Sequence, residues 1–321
     1  MEIININDLK NIRIGQIENR EAGKGVTVLI SDKGMLAGLD VRGGGPASRD
    51  TQLLSPLTNT HPINAIILAG GSAFGLGAAD GVMKYLEEKG IGYDTGFAKV
   101  PLVVQSDIYD LSVGRSDIRP DREMGYAAAE AAFSNTGFRS GNYGAGCGAS
   151  VGKITGMDRA MKSGIGSYAV RIKEFEIGAI SVVNALGDIY DHKNGQQIAG
   201  LLDVEGKKLC NTLEHMERST EIIRNKFTGN TTLSIVITNA KFNKAQLCKI
   251  AGLAHDGYAR SINPVHTSAD GDSIYAVSTG DLEVDKDLAG TLAAEVVSEA
   301  ILDAVKSAES AYGFPAWKDI L

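Results

Sequence analysis

Apolar residues along the chain fall into short runs of strand length and longer runs with helical spacing. Val26–Ile30 and Leu36–Val41 are short apolar runs joined by Ser31-Asp32-Lys33-Gly34, a pattern that predicts a hairpin. Ala65–Ala69 reads as a buried strand ending in Gly70-Gly71. Ser72 then stands where it can cap a helix through Ala79, Val82, Met83 and Leu86, with a stop at Gly90. Val100–Val104 predicts another strand, Pro120-Asp121 opens an alanine-rich helix through Ala132, and Ile177–Val183 reads as a strand in glycine-punctuated surroundings. From Asp188 to Asn230 the composition turns to charged and amide residues with no sustained period, which predicts an exposed connector. The change at Phe227-Thr228-Gly229-Asn230 is abrupt: Thr231–Thr238 is at once one of the strongest β-forming runs, so a boundary falls between Asn230 and Thr231. A helix over about Asn243–Ile262, a strand over Ser273–Val277 and a closing helix over about Leu288–Ala308 complete the pattern. Strands mixed with helices and long apolar runs predict an α/β protein of layered sheets.

Composition narrows the function. The 321 residues are 43% hydrophobic and 22% charged, enough to bury a large core, and the length fits one large domain or two intimate ones. A net charge of −7 without a lysine/arginine block argues against a nucleic-acid surface. No run approaches the ~18 apolar residues of a membrane span, and the first residues lack the order of a secretory signal. Cys147, Cys210 and Cys248 are odd in number and lack CxxC spacing, so neither a disulfide framework nor a zinc site is predicted. The expectation is a cytoplasmic protein acting on small molecules or peptides. Its 39 glycines are about 12% of the chain where about 7% is usual, with no collagen-like period.

Several glycine-rich or polar segments carry candidate chemistry. Gly70–Gly75 lies between a strand and a helix, but a nucleophile elbow needs glycine where Phe74 stands, so a tight turn is the better reading. Gly144–Lys153 ends like a P-loop, yet Cys147 replaces the first required glycine and Ile154 the final Ser/Thr, which leaves a glycine-dense backbone carrying Lys153. Asn230-Thr231-Thr232 is formally a glycosylation sequon, coincidental without secretion. Cleavage before Thr231 would instead put a free α-amine, reference pKa about 8, beside its own hydroxyl. Asp270-Gly271-Asp272 offers two carboxylates that can hold a divalent metal, with His255, Asp256 and His266 as further ligands, or can orient a nucleophile by hydrogen bonds. Asn184 follows an apolar strand directly and is either a cap or a donor to a developing oxyanion.

Together these residues resemble the self-cleaving aminopeptidases of the L-aminopeptidase/D-esterase (DmpA) type, a family that includes β-peptidyl aminopeptidases and nylon-oligomer hydrolases. The resemblance covers nearly the whole chain through Ile12–Gly15, Val41–Gly44, Leu68–Leu76, Gly144–Lys153, Val183–Ala185, Asn230–Thr232, Ala254–Gly257 and Pro264–Thr267. It implies one catalytic domain over 1–321 in a four-layer α/β/β/α sandwich of the DmpA/ornithine acetyltransferase type, and self-cleavage into 1–230 and 231–321. Thr231 matches the nucleophile, Lys153 the site lysine, Asn184 the oxyanion-side asparagine, Asp270 and Asp272 the pair that orients the nucleophile, and Tyr109 the site tyrosine. The implied activity is hydrolysis of a small peptide or amide, or an ester, through an acyl-enzyme, by a homo-oligomer, a tetramer, needing no metal or organic cofactor. Threonine with two aspartates is closer to the nylon-oligomer branch than to the aminopeptidase branch, whose nucleophile is serine. Ornithine acetyltransferases share the fold, so acyl transfer is one alternative; a non-cleaving small-ligand-binding protein is another.

Overall fold

A computed structural model describes residues 1–59, 61–218 and 229–320. Ten strands form one connected system: β1 (Glu2–Ile4), β2 (Arg13–Asn19), β3 (Lys24–Val41), β4 (Ala47–Arg49), β5 (Ile63–Ala69), β6 (Val103–Asp107), β7 (Ile165–Ile172), β8 (Phe175–Asn184), β9 (Thr231–Ala240) and β10 (Ser273–Leu282). The helices that flank it are α1 (Ala78–Glu88), α2 (Arg122–Phe133), α3 (Lys244–Ser261) and α4 (Lys286–Lys306). The strand order is β1-β7-β8-β9-β10-β3-β5-β6-β4, with β2 also paired to β3.

The expected hairpin over Val26–Val41 is instead a single strand of 18 residues. Its first half pairs with β2 and β5, and its second half, Leu36–Val41, pairs with β10. Between them the register shifts, and Gly34 takes a φ of +79°. Each apolar run has its own partners, so the polar Ser31–Gly34 step bends the strand out of one sheet into another and reverses nothing.

Alternation along the strands explains the layers. Val26, Val28 and Ile30 of β3, with Ala65 and Ile67 of β5, face α1 and α2. Leu29, Ile66 and Leu68 face the other way, against Ile180, Val182, Leu233, Ile235, Ile237 and Tyr275 of the second sheet. The far side of that sheet, including Ile177, Val183, Val236 and Ile274, packs on α3 and α4. Three apolar cores thus separate four layers, α/β/β/α, the architecture that the resemblance implied. Strand β9 is buried on both faces, which is why Ile235, Val236 and Ile237 stand consecutively in it without alternating with polar residues.

Asp121 caps α2 by accepting from Met124 N at 2.9 Å, and Asn243 caps α3 in a reciprocal box with Gln246. Ser72, expected to cap α1, sits at φ +55° in a 3₁₀ turn over Ser72–Gly77, and α1 starts at Ala78. The strand predicted over Val100–Val104 is β6, three residues later. The predicted connector is more ordered than its composition suggests: Asp188–Tyr190 and Gln197–Ala199 join Ile262–Asn263 in a small sheet, and Thr212–Glu217 is helical with Asn211 as cap. Residues 219–228 of that connector lie outside the described residues. No helix among the described residues is long and apolar enough to cross a membrane.

Candidate active site

Strand pairing builds the site. β8 and β9 run antiparallel with Asn184 opposite Thr231, so the last residue of one strand meets the first of the next, and both are buried. The Asn184 side chain is fully committed. Its Nδ2 donates to Tyr109 O at 3.0 Å and Gly229 O at 3.2 Å, and its Oδ1 accepts from Ser150 N at 3.1 Å and Lys153 Nζ at 2.8 Å. This answers the need of a buried amide for partners.

Lys153 is 1% exposed, and its three ammonium hydrogens meet three oxygens: Asn184 Oδ1 at 2.8 Å, Asn184 O at 3.0 Å and Gly229 O at 2.8 Å. Burial pushes its pKa down to about 7, against the opposing pull of Asp270, Asp110 and Asp272. The chain reaches this position through backbone bonds from Gly152 N to Gly187 O (3.2 Å) and from Lys153 N to Leu186 O (3.0 Å). The glycine-dense segment therefore delivers a lysine into the protein interior.

The Thr231 hydroxyl donates to the carbonyl of Asn230, and the same oxygen accepts from Gly271 N at 3.1 Å. A Cβ on Gly271 would lie 2.8 Å from Thr231 Oγ, so the residue between the two aspartates has no room for a side chain. Gly229 is equally constrained. Its φ is +60°, and a Cβ there would fall 1.7 Å from Cδ1 of the Tyr109 ring. Tyr109 thus enters the site through its ring face and its carbonyl. The Asn230 side chain is buried with neither polar atom hydrogen-bonded.

Asp270 and Asp272 act on Thr231 at one remove. Asp272 Oδ1 accepts from Thr232 N at 2.8 Å, and its Oδ2 accepts from His266 N (3.1 Å) and Nδ1 (2.9 Å). Asp270 Oδ2 accepts from Thr267 N at 2.9 Å and Thr267 Oγ at 2.5 Å. Burial, reinforced by Asp272, pushes Asp270 up to about 6. Neither carboxylate bonds the Thr231 hydroxyl; they fix the start of β9 and the Gly271 turn. Gly45 N also donates to Asp270 O (2.8 Å), and Gly43 N to Asp272 O (3.2 Å). The alternative metal grouping is not assembled: His266 is turned to Asp272, and His255 Nε2 to Asp40 O at 3.1 Å. Among the described residues the three-donor group is His192, Glu295 and Glu299, where Lys193 already pairs with Glu299.

Ser150, Thr267 and the Gly271 N–H went unread as site groups in the sequence because they act largely through the main chain. Two further buried lysines, Lys162 and Lys24, hold main chain near the site. Lys162 Nζ donates to Ala149 O (2.9 Å), Gly146 O (3.2 Å) and Ser163 O, and burial pushes it down to about 7. Lys24 Nζ reaches Val113 O (2.7 Å), Asp110 O (2.9 Å) and Ala22 O (3.0 Å). Each pins a loop beside the site; Lys24 lies between two glycines, and Lys162 between Met161 and Ser163.

The sequence model of Peptidase family S58 matches residues 5–317. An uncharacterized aminopeptidase of Mycobacterium leprae is 34% identical over 97% of this chain and 92% of its own length. A 6-aminohexanoate-oligomer endohydrolase of Kocuria sp. is 33% identical over 93% of this chain and 85% of its own. Among solved structures, a Burkholderia sp. beta-aminopeptidase superposes with a TM-score of 0.67 at 18% identity, covering 96% of this chain and 88% of that one. The L-aminopeptidase D-Ala-esterase/amidase of Ochrobactrum anthropi, described as a variant of the N-terminal-nucleophile hydrolase fold, gives 0.66 at 17% identity, covering 94% and 86%. With its four layers and the match over nearly its full length, the chain belongs to peptidase family S58 and is a hydrolase of the amidohydrolase and aminopeptidase type.

Proposed function

We propose that the chain is a precursor that cuts itself between Asn230 and Thr231 and then uses Thr231 as an N-terminal nucleophile. The observation that carries this reading is the Thr231 hydroxyl resting on the carbonyl of the bond to be cut, with Gly271 N–H on the same oxygen. Thr231 Oγ adds to the Asn230 carbonyl carbon, the peptide bond breaks to an ester, and water resolves the ester into residues 1–230 and 231–321. The new α-amine, with a reference pKa of about 8, serves as general base when Thr231 attacks a substrate amide or ester. Asn184 stabilises the substrate oxyanion, and the Lys153 cation favours a neutral amine beside it. Asp270 and Asp272 hold the turn that positions Thr231. None of these steps needs a metal or organic cofactor.

The substrate is a small peptide or linear amide. Support comes from the names of the relatives and from the threonine with two aspartates. Residues 1–321 form one catalytic domain, since strands from both sides of the cut interleave. The working form is a cytoplasmic homo-oligomer, a reading supported by the three unpaired cysteines and by the exposed Phe97 and Leu57.

Denaturing electrophoresis with intact-mass measurement tests the reading. Purified wild type should give two pieces with Thr231 leading the second, and Thr231→Ala should remain whole. A wild-type chain that stays whole and hydrolyses neither aminoacyl p-nitroanilides nor amide oligomers would sink it. Splitting that persists in Thr231→Ala would move the nucleophile to Thr232 or Ser234.

A further inference from the structure

Two adjacent carbonyls near the cut face two different donor sets. The Asn230 carbonyl, whose bond is broken, takes Gly271 N–H at 3.1 Å and the Thr231 hydroxyl. The Gly229 carbonyl, one residue upstream, takes Lys153 Nζ at 2.8 Å and Asn184 Nδ2 at 3.2 Å. Resting on Thr231 as nucleophile, we infer that self-cleavage and substrate hydrolysis use different oxyanion donors: Gly271 N–H serves the cut, while Lys153 and Asn184 stay occupied by Gly229 until the cut is made.

The second pair is not free to swing onto Asn230. The Asn184 amide is tied on its other valences to Tyr109 O, Ser150 N and Lys153, and the remaining Lys153 hydrogens are on Asn184 itself. Turning either group would break several buried hydrogen bonds at once. Gly271, in contrast, is already in place. Ser273 Oγ donates to its carbonyl at 3.0 Å, Gly45 N to Asp270 O at 2.8 Å and Asp270 N to Thr267 O at 3.1 Å, so the peptide carrying the donor is held on both sides. A donor fixed before charge develops is the kind that stabilises an oxyanion.

The cut then proceeds as follows in electrons and atoms. The bond from Thr231 Oγ to the Asn230 carbon forms, and the carbonyl pair moves onto Asn230 O against Gly271 N–H. Collapse breaks the carbon–nitrogen bond, and the Thr231 nitrogen takes the proton given up by Oγ. Water cleaves the ester: its oxygen joins the Asn230 carbon, one of its protons restores the Thr231 hydroxyl, and the acid's proton passes to solvent, leaving a carboxylate on Asn230. As the new chain end withdraws, one hydrogen of Lys153 and one of Asn184 converge on the point that Gly229 O had filled. That point becomes the seat of the substrate carbonyl, and an uncut chain carries its own occupant there.

The test compares cutting with turnover in the full-length chain made by cell-free translation, timed by intact mass and by hydrolysis of an aminoacyl p-nitroanilide. Asn184→Asp keeps an acceptor for Ser150 and Lys153 but cannot donate; it should lower hydrolysis at least ten times more than it lowers the cutting rate. Replacing Gly271 by glycolate removes the N–H without adding a Cβ and should slow cutting at least about tenfold. Cutting and hydrolysis falling equally in Asn184→Asp, or a glycolate chain cut at the wild-type rate, would overturn the inference. If Asn184→Asp does not fold, the glycolate chain decides. Thr231→Ala separates the two levels: if it still splits at the same bond, the nucleophile assignment itself fails, whereas an intact Thr231→Ala beside either overturning result fails only the division of donors.

Discussion

Lys153, held down to about 7, and Asp270, held up to about 6, both border the Gly229–Thr231 segment and titrate in opposite senses. Lys153 must be protonated to fill three acceptors, so its contribution fades above about 7. Asp270 must be ionised to bind Thr267 by both N–H and hydroxyl, so its contribution fades below about 6. Self-cleavage of freshly folded precursor, which uses the Asp270–Gly271 turn and not Lys153 as donor, should therefore fall off below about pH 6 and hold above it, and a rate flat from pH 5 to 9 would contradict it. Stability gives a separate readout in uncut Thr231→Ala. The unfolded lysine, near 10.5, binds a proton that the folded one releases above about 7, so stability climbs with pH across that window. Lys162 adds the same slope. Lys153→Met should lower the slope by about 1 kcal/mol per pH unit without abolishing it, measured as urea midpoints at pH 7.5 and 9.5. Gly229→Ala should slow cutting at least tenfold by intact mass, because its Cβ collides with the Tyr109 ring, and Tyr109→Ala should restore part of the rate. Thr231, Asn184 and Lys153 stand out in the sequence because each is a polar residue where a strand or glycine run begins or ends, but the roles proposed for them rest on the resemblance and not on that pattern. The Gly271 donor does not stand out: a backbone N–H carries no residue code, and Asp-x-Asp first reads as two carboxylates.

At the scale of elements, Val26–Val41 shows what periodicity leaves open. Two apolar runs around Ser31–Gly34 satisfy a hairpin and a bent strand equally well, and the choice is made by partners distant in sequence, β5 for one half and β10 for the other. The helices were legible for the opposite reason, since Asp121 and Asn243 cap within their own segments. Helix placement, in turn, depends on single strand residues. At Gly166 in β7 a Cβ would lie 2.2 Å from Ala304 N in α4, so the helix rests directly on the strand backbone. Gly166→Val should force α4 outward and cost about 1–3 kcal/mol, read as a lower urea midpoint at unchanged slope. An unchanged midpoint would mean that α4 is not seated on β7 as described.

Over the whole molecule, the proposed cut falls in the middle of the architecture. The second piece would carry β9, β10, α3 and α4; β9 pairs with β8, and β10 pairs with β3, so both outer edges of this strand pair are hydrogen-bonded to the first piece. Two of the three cores are shared: Leu233, Ile235 and Tyr275 pack with Ile66, Leu68 and Ile180, while Val236 and Ile301 pack with Ile177 and Val183. Separating the pieces would open both cores and expose two lines of unpaired strand edge, a cost comparable to unfolding and not to dissociation of an ordinary partner. Cleavage should therefore change covalent connectivity without releasing a fragment. On native size exclusion the processed protein should elute as one species containing both pieces, and the pieces should part only in denaturant, in the same transition that unfolds the sheets. A second piece that elutes alone under native conditions would contradict the interleaving of β8, β9, β10 and β3.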